Sequence, residues 1–526
     1  MGYLLLAVAA AGLIRFSLVW NFVTDDAFIS FVYARNLVEH GELVFNLGER
    51  VEGYTNFLWT LLIAAGLRVG LAAEDTSRVM GTAAAIGTML VAATVMRRLR
   101  ASLADGATQR LVAWDALPAL LLAAVPGYAC WSSGGLETQL FTLLVTGGVA
   151  LYLRESAEDA PLRASAIAFG LAALTRPEGV LVFAVTAAHR GGALLLQRKK
   201  NLGGALVRDL AWGALVAAFV VPHFLWRKHY YGYWLPNTFY IKSSGGAGTW
   251  QQGAYYLWSA TKQFHLWAPL VLGIAGLLVR RSRAVLLFAT HALLLVAVYL
   301  LYVAKVGGDF MGLFRFIMPP IALVYLFGAL GCFLLLGERG RVALLPVAAL
   351  LGLHIAHAVP VTRASLTIGA DRGIDTPGFL RWYTADRAVI GKWFGQHCQP
   401  DDFMAVGGAG AQVYYAKMGA LDCFGLSDAY IAHEVKAVSN RPGHQKYAPL
   451  EYQLKRKPTI ITSNYYRIQG TPYQPTRAEA EEWKQRGYHY VSVEMPGLSS
   501  RYYSFLKRLD RALGPLPAVP NEPEHP

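Results

Sequence analysis

Apolar residues run along most of this chain in blocks of about 17–22, the length a helix needs to cross a hydrocarbon core. The blocks fall at 2–22, 78–96, 111–130, 138–153, 164–175, 177–190, 209–226, 263–279, 285–304, 315–336 and 343–360. They predict an all-α polytopic membrane bundle of about eleven transmembrane helices. The blocks 164–175 and 177–190 are too short to cross as separate full helices. Between them Pro177 cannot continue a helical ladder and biases Arg176 toward an extended backbone. Broken helices with charge at their tips line polar cavities, because irregular backbone cannot face lipid. The stretch 54–73 is apolar enough to cross, but charge placement argues for a tilted or half-inserted helix.

The pattern changes after about residue 361. Long apolar runs stop, and "DDFMAVGGAGAQVYYAKMG" reads as strand, glycine turn, helix. "KPTIITSN" and "YHYVSVEM" read as further strands. The expected organisation is a membrane module over 1–360, with a first connecting loop at 23–53, and an α/β domain over 361–526. A Pro-rich tail, read as disordered, runs from about 514.

Composition supports the membrane reading: 16% of residues are charged, against about 25% in soluble domains, and mean hydropathy is +0.35. The net charge of +14 does not indicate a nucleic-acid partner. Much of it sits in short clusters between apolar blocks, "RRLR" at 97–100, "RKK" at 198–200, "RRSR" at 280–283 and "ERGR" at 338–341. Placed in the cytoplasm, these put the amino terminus inside and the loop 23–53, the loops 131–137, 227–262 and 305–314, and the α/β domain outside. The first block lacks a basic leader and a small-residue cleavage site, so it is read as an uncleaved span. Cys398 and Cys423 both fall in the outward domain, where a disulfide would persist, though spacing alone does not establish one.

On that outer side six polar knots converge. "TDDAFISFVYARNL" places Asp25 and Asp26 just after the first span. As structure alone, Thr24 caps a helix and the two carboxylates favour its dipole. The helix reads as amphipathic and lying on the membrane surface, with Phe28, Phe31, Val32 and Leu37 on one face and Ser30, Asn36 and Glu39 on the other. The same loop returns with Glu52, Tyr54 and Asn56 at membrane depth, which capping does not explain. "WSSGGLETQLF" brings Glu137; "LPNTFYIKSS" brings Asn237, Tyr240 and Lys242; "KVGGDFMGLFRFIMP" brings Lys305, Asp309 and Arg315; "TRPEG" brings Arg176 and Glu178. Each has a plain reading: a helix-start carboxylate, a solvated loop, a snorkelling arginine, a buried ion pair. Together they give cations to hold a phosphate and carboxylates to take a proton from a hydroxyl. "GGAGAQ" at 407–412 has the outline of a dinucleotide turn, which an outer location argues against.

These motifs resemble the GT-C superfamily of integral-membrane glycosyltransferases. The closer resemblance is to the mycobacterial terminal β-(1→2) arabinofuranosyltransferase family and its bacterial relatives. It is carried by "DDAFISFVYARNL", "VFNLGERVEGYTNFLW", "SGGLETQLF", "LTRPEG", "LPNTFYIK" and "GGDFMGLFRFIMP", with "LDCFGLSDAYIAH" and "GHQK" in the tail. The resemblance implies a GT-C-like bundle with juxtamembrane helices in a bacterial inner membrane. It also implies an inverting transfer of a sugar, arabinofuranose in that family, from a polyprenyl-phosphate donor to an envelope glycan, glycolipid or protein. Asp25 would be the general base and Asp26 its partner. Arg176, Lys242, Arg315 and Lys305 would hold the donor phosphate. Glu52, Tyr54, Asn56, Glu137, Asn237, Tyr240 and Asp309 would contact substrate. No cofactor is called for with certainty; a divalent cation fits the acid pair, but no metal-ligand spacing stands out. Two rival readings use the same residues: a flippase of lipid-linked sugar, and a non-catalytic scaffold binding wall polymer.

Overall fold

The computed structural model describes residues 1–103, 110–158, 160–196, 202–242, 247–439, 441, 443–514 and 516. The amino-terminal part is helical: α1 (Gly2–Ser17), α2 (Asp25–His40), α3 (Phe57–Arg68), α4 (Ala73–Ala101), α5 (Ala113–Ala123), α6 (Pro126–Ser133), α7 (Thr138–Ala157) and α8 (Arg163–Thr175). It continues with α9 (Glu178–Leu196), α10 (Leu202–Tyr231), α11 (Asn237–Lys242), α12 (Ala247–Phe264), α13 (Trp267–Val279), α14 (Arg283–Lys305), α15 (Met318–Leu336) and α16 (Leu344–Ser365).

This is a multi-pass membrane protein, and among the described residues not every apolar block forms a helix that is by itself long and apolar enough to cross. Five described helices are long and apolar enough to cross: α4, α14, α16, nearly all of α10, and the run Arg315–Gly340 that contains α15; counting each of two bent pairs as one span gives up to 7. The pairs are α5 with α6, bent by 72°, and α12 with α13, bent by 74°. Each bend has a local cause. Pro126 opens α6 and removes a ladder donor, while His265, between α12 and α13, has a positive φ of 48°. At Pro177 the expected break appears, with Arg176 extended at φ −151° and ψ 141°. Helix α3 has 12 residues, too short to cross a core of about 30 Å at about 1.5 Å per residue, in keeping with a half-inserted segment. The segment 227–262, expected to be a loop, is largely helical, since α10 runs to Tyr231 and α11 and α12 follow.

The C-terminal part carries a two-stranded pair, β1 (Ala370–Asp371) with β2 (Ile374–Asp375), then the long helix α17 (Pro377–His397). Strand β3 (Phe403–Val406) leads through a glycine loop into α18 (Ala411–Ala416) and β4 (Gly419–Asp422). There follow α19 (Ala429–Glu434), α20 (Leu450–Lys455), β5 (Ile460–Ile461), β6 (Arg467–Gln469), α21 (Arg477–Gln485), β7 (Tyr488–Glu494) and β8 (Tyr502–Arg508). β3 pairs in parallel with β4 and β5; β5 and β6 share one edge of β8 and β7 takes the other, all antiparallel. Apart from Gly514 and Leu516, the tail predicted from about 514 lies outside the described residues, as does the "RKK" cluster.

One expectation is corrected, and the pairing of Cys398 with Cys423, which spacing left open, is decided. Helix α2 does not lie on a surface. Ile29, Val32 and Tyr33 pack into one face of the sheet with Ile390, Met404 and Val406, while Phe28 and Phe31 belong to the bundle core. Ser30 and Asn36, expected to face water, are buried and hydrogen-bonded. Cys398 and Cys423 are both free thiols: Cys398 packs with the α17 side of the sheet and Cys423 belongs to the cluster on the other. The sheet between them prevents a bridge.

Candidate functional site

Helix α2 begins at the acid pair. Thr24 is extended at its N-cap without a side-chain cap bond, so Asp25 and Asp26 supply the negative charge of the first turn. The loop 131–137 is drawn against this end: the Thr24 amide donates to the Gly134 carbonyl at 3.1 Å. Gly135 has φ +90°, and a Cβ there would come within 2.5 Å of Val23. Only a glycine makes that approach.

The two carboxylates have different surroundings. Asp25 is 8% exposed and accepts from the Ala411 amide at 2.8 Å. Burial raises its proton affinity, opposed by the Ala411 amide, by Arg387 and by the Gly410 amide. The clamp is the loop "GGAGAQ": a Cβ on Gly408 would lie 3.1 Å from the Asp25 Oδ2 atom, and one on Gly410 would overlap the Asp25 backbone carbonyl. Asp26 is half-buried. It stands one helical turn before Ser30 and so shares that residue's face, while Asp25 shares the sheet-facing side of Ile29. Both carboxylates act on Tyr383, whose phenol is pushed to about 12, by burial first.

From Ser30 a hydrogen-bonded chain runs into the bundle. The Ser30 hydroxyl donates to Asn56 Oδ1 at 3.1 Å, and the Asn56 amide to Glu137 Oε2 at 2.9 Å. Arg176 donates to Glu137 Oε1 at 2.5 Å and forks onto Glu178 at 3.0 and 3.3 Å. Arg315 pairs with Asp309 at 2.7 Å. The two guanidinium groups share the Phe316 ring, at 4.9 and 5.3 Å from its centroid. Arg176 sits on extended backbone at the Pro177 break, and Gly307 and Gly308, with φ +86° and +74°, turn the chain that carries Asp309.

The structure therefore brings together Asn56, Glu137, Arg176, Asp309 and Arg315, on the Ser30 side of the acid pair. The other expected residues lie elsewhere. Glu52 pairs with Arg227 at 2.6 Å, and Tyr54 meets the Tyr231 hydroxyl at 3.2 Å, in a separate buried cluster. Burial pushes the Glu52 carboxyl up to about 7, with Arg227 opposing. Asn237 is buried and spends its amide on the carbonyls of Gly425 and Asp428, at 3.3 and 3.0 Å. Tyr240 packs its ring 4.3 Å from His433. Lys305 is exposed at the end of α14, and the Lys242 side chain lies outside the described residues. Among the described residues no three His, Cys, Asp or Glu side chains converge as metal ligands would, so no metal-dependent step is derived.

One cation is invisible in the sequence. Arg387 on α17 is buried, lies 4.7 Å from the Tyr383 ring and 4.3 Å from the Tyr466 ring, and has an Nε atom without a hydrogen-bond partner. Burial disfavours its charge, yet Tyr383, Tyr503, Tyr466 and Asp25 outweigh it and keep the guanidinium cationic. It sits in "RWYTADRAV", which has no motif to mark it. The glycine loop's role is also hidden there, since its partner Asp25 is 386 positions away.

Comparison with known proteins agrees with the motif reading. A family described only as a domain of unknown function, DUF8728, matches residues 380–506. A terminal β-(1→2)-arabinofuranosyltransferase of Mycobacterium tuberculosis is 29% identical over 279 residues, 50% of this chain and 42% of that one. The protein of the same name from Corynebacterium glutamicum is 29% identical over 371 residues, 61% of this chain and 50% of that one. The chain thus spans about half the length of the curated relatives it matches. ArnT from Cupriavidus metallidurans, solved bound to undecaprenyl phosphate, superposes with a TM-score of 0.53 at 15% identity, covering 80% of this chain and 85% of ArnT. The chain has the ArnT fold, and both the GT-C resemblance and the resemblance to the terminal arabinofuranosyltransferases hold.

Proposed function

We propose that this protein is an inverting glycosyltransferase. On this reading it moves a sugar, arabinofuranose by analogy with its relatives, from a polyprenyl-phosphate donor to an acceptor hydroxyl on the extracytoplasmic side of a bacterial inner membrane. The observation that carries the reading is the continuous polar chain from the face of α2 that bears Asp26 to Arg176, whose guanidinium shares the Phe316 ring with the Arg315–Asp309 pair. A transferase needs a base at one end of such a site and a phosphate anchor at the other. The undecaprenyl phosphate bound by ArnT supports a donor of that class.

The roles follow from the surroundings. Asp26, half-buried on the face turned to the chain, takes the proton from the acceptor hydroxyl. The acceptor oxygen forms its bond to the anomeric carbon as the bond from that carbon to the phosphate oxygen breaks. The lipid phosphate leaves with the electron pair, held by Arg176 and Arg315. Asp25 was the sequence-based choice for base. Its carboxylate already takes the Ala411 and Gly410 amides, which makes it the anchor that fixes the pair against the C-terminal sheet region. Arg387 steadies that anchor through the field it places on Asp25.

The test is an assay of purified protein with synthetic polyprenyl-phosphate sugars and no ATP. Release of polyprenyl phosphate coupled to acceptor glycosylation supports the reading. Translocation of intact donor without release would identify a flippase instead, and chelator in the same assay reports metal dependence.

A further inference from the structure

Beside Gly407 the C-terminal sheet region opens a cavity of about 670 Å³. Its lining includes Phe424, Lys436, Val438, His444, Tyr447 and Asn464, and no carboxylate among the described residues. None of the roles assigned above uses it. Phe424 meets His444 at 4.6 Å and 78° and Tyr447 at 5.3 Å and 76°, so three rings stand edge to face as one wall. Val438 is 72% exposed at the cavity, and Lys436 and Asn464 are exposed beside it.

The cavity adjoins the reaction site at two points. His444 stands perpendicular to Phe310 at 4.8 Å, and Phe310 follows Asp309, the partner of Arg315. On the other side, a Cβ on Gly407 would lie 3.8 Å from the Phe424 ring, and one on Gly408 would lie 3.1 Å from Asp25 Oδ2. Consecutive α-carbons are about 3.8 Å apart. The Phe424 ring and the Asp25 carboxylate therefore lie on either side of one peptide unit, with Asp26 on the next face of α2.

Aromatic faces carry negative charge density and accept the polarised C–H groups of a sugar ring. An asparagine amide both donates and accepts, and a lysine donates, so the pair suits hydroxyl groups. The volume falls in the range of small-molecule sites, about 300–1,000 Å³. A polyprenyl tail would leave these polar groups unpaired. We propose that this cavity is the acceptor subsite and that the acceptor is an oligosaccharide, whose sugar residues beside the reacting one rest on the Phe424–His444–Tyr447 wall. The proposal rests on the transferase reading for the identity of the site next to it.

The experiment uses the full chain in lipid nanodiscs with Phe424→Leu, which keeps apolar volume without a ring, and Asn464→Ala at an exposed position. Tyr447→Phe keeps the ring and serves as control. The acceptor KM rises about tenfold in the first two variants, while donor KM and slow transfer to water stay at the wild-type values and the control is unchanged. Saturation-transfer NMR with methyl glycosides of pentofuranosyl and hexopyranosyl disaccharides gives the second readout: a binding signal with wild type that disappears in Phe424→Leu. Unchanged acceptor KM in both variants, or no disaccharide binding to wild type, overturns the subsite. Absence of polyprenyl phosphate release from every donor overturns the transferase reading instead, and disaccharide binding that is present in wild type and absent in Phe424→Leu would still support the subsite.

Discussion

The Arg176 guanidinium donates to Glu137 at 2.5 Å while the other Glu137 oxygen accepts from Asn56 at 2.9 Å. One carboxylate thus ties the broken-helix cation to the loop that follows α2. Removing one partner of a buried pair leaves the other uncompensated and costs about 3–5 kcal/mol. Glu137→Gln is expected to lower the melting temperature clearly and to abolish transfer. Arg176→Lys keeps the charge but loses the fork onto Glu178. It is expected to raise donor KM at least tenfold while the protein still folds. Melting curves in detergent and donor titrations check both, and a wild-type donor KM in Arg176→Lys would remove Arg176 from the phosphate site.

The acid pair should divide in its response. Losing a general base costs about 10²–10⁴ in rate, so Asp26→Asn is expected to lower kcat by that factor with unchanged melting. Asp25→Asn keeps an oxygen for the Ala411 amide, and its effect should be smaller in kcat and larger in stability. If Asp25→Asn loses as much kcat as Asp26→Asn at an undisturbed melting temperature, the base is Asp25.

Gly410→Ala tests the clamp from the opposite side. A methyl group there would overlap the Asp25 carbonyl, so the glycine loop must lift off the start of α2. Overpacking of this kind costs about 1–3 kcal/mol. The expected outcome is an active-site defect that resembles Asp25→Asn, with the bundle intact by size-exclusion profile. Full activity in Gly410→Ala would show that the C-terminal region does not position Asp25.

Much of the architecture was legible because membrane helices announce themselves by apolar length and Pro177 by its own geometry. The strands at 403–406 and 488–494 were legible through alternation and the glycine turn. Helix α2 was misread because Ser30 and Asn36 look solvent-facing until the distant Asn56 side chain and the Val44 carbonyl arrive to satisfy them. Of the residues that the structure gathers beside the acid pair, Glu137, Arg176, Asn56, Asp309 and Arg315 stood out in the sequence because polar residues at apolar margins are costly and so conspicuous. Arg387 escaped because a single arginine on a polar helix carries no such signal; only folding places it against Tyr383 and Tyr466.

The Glu52 contribution to stability should fall as pH rises through weak acid, while His489, lowered by burial to about 4, contributes in the opposite direction. Burial lifts the Glu52 carboxyl from 4.5 to about 7 even with Arg227 at 2.6 Å. A carboxyl with a folded value above its unfolded one holds its proton in the folded state where the unfolded chain has released it. The folded form then binds more protons between about 4.5 and 7, and stability drops across that window as pH increases. Asp422, lifted by burial to about 6, acts in the same direction over a narrower range. Glu52→Gln removes one titration and leaves the other. Relative to Glu52→Gln, the melting temperature of wild type is therefore expected to shift downward between a weakly acidic and a weakly alkaline buffer, because the histidines contribute alike to both proteins. Comparing the two differences cancels the separate cost of leaving Arg227 without its carboxylate. An equal shift in both proteins would mean that Glu52 is already ionised throughout, and that Arg227 holds it more tightly than burial opposes.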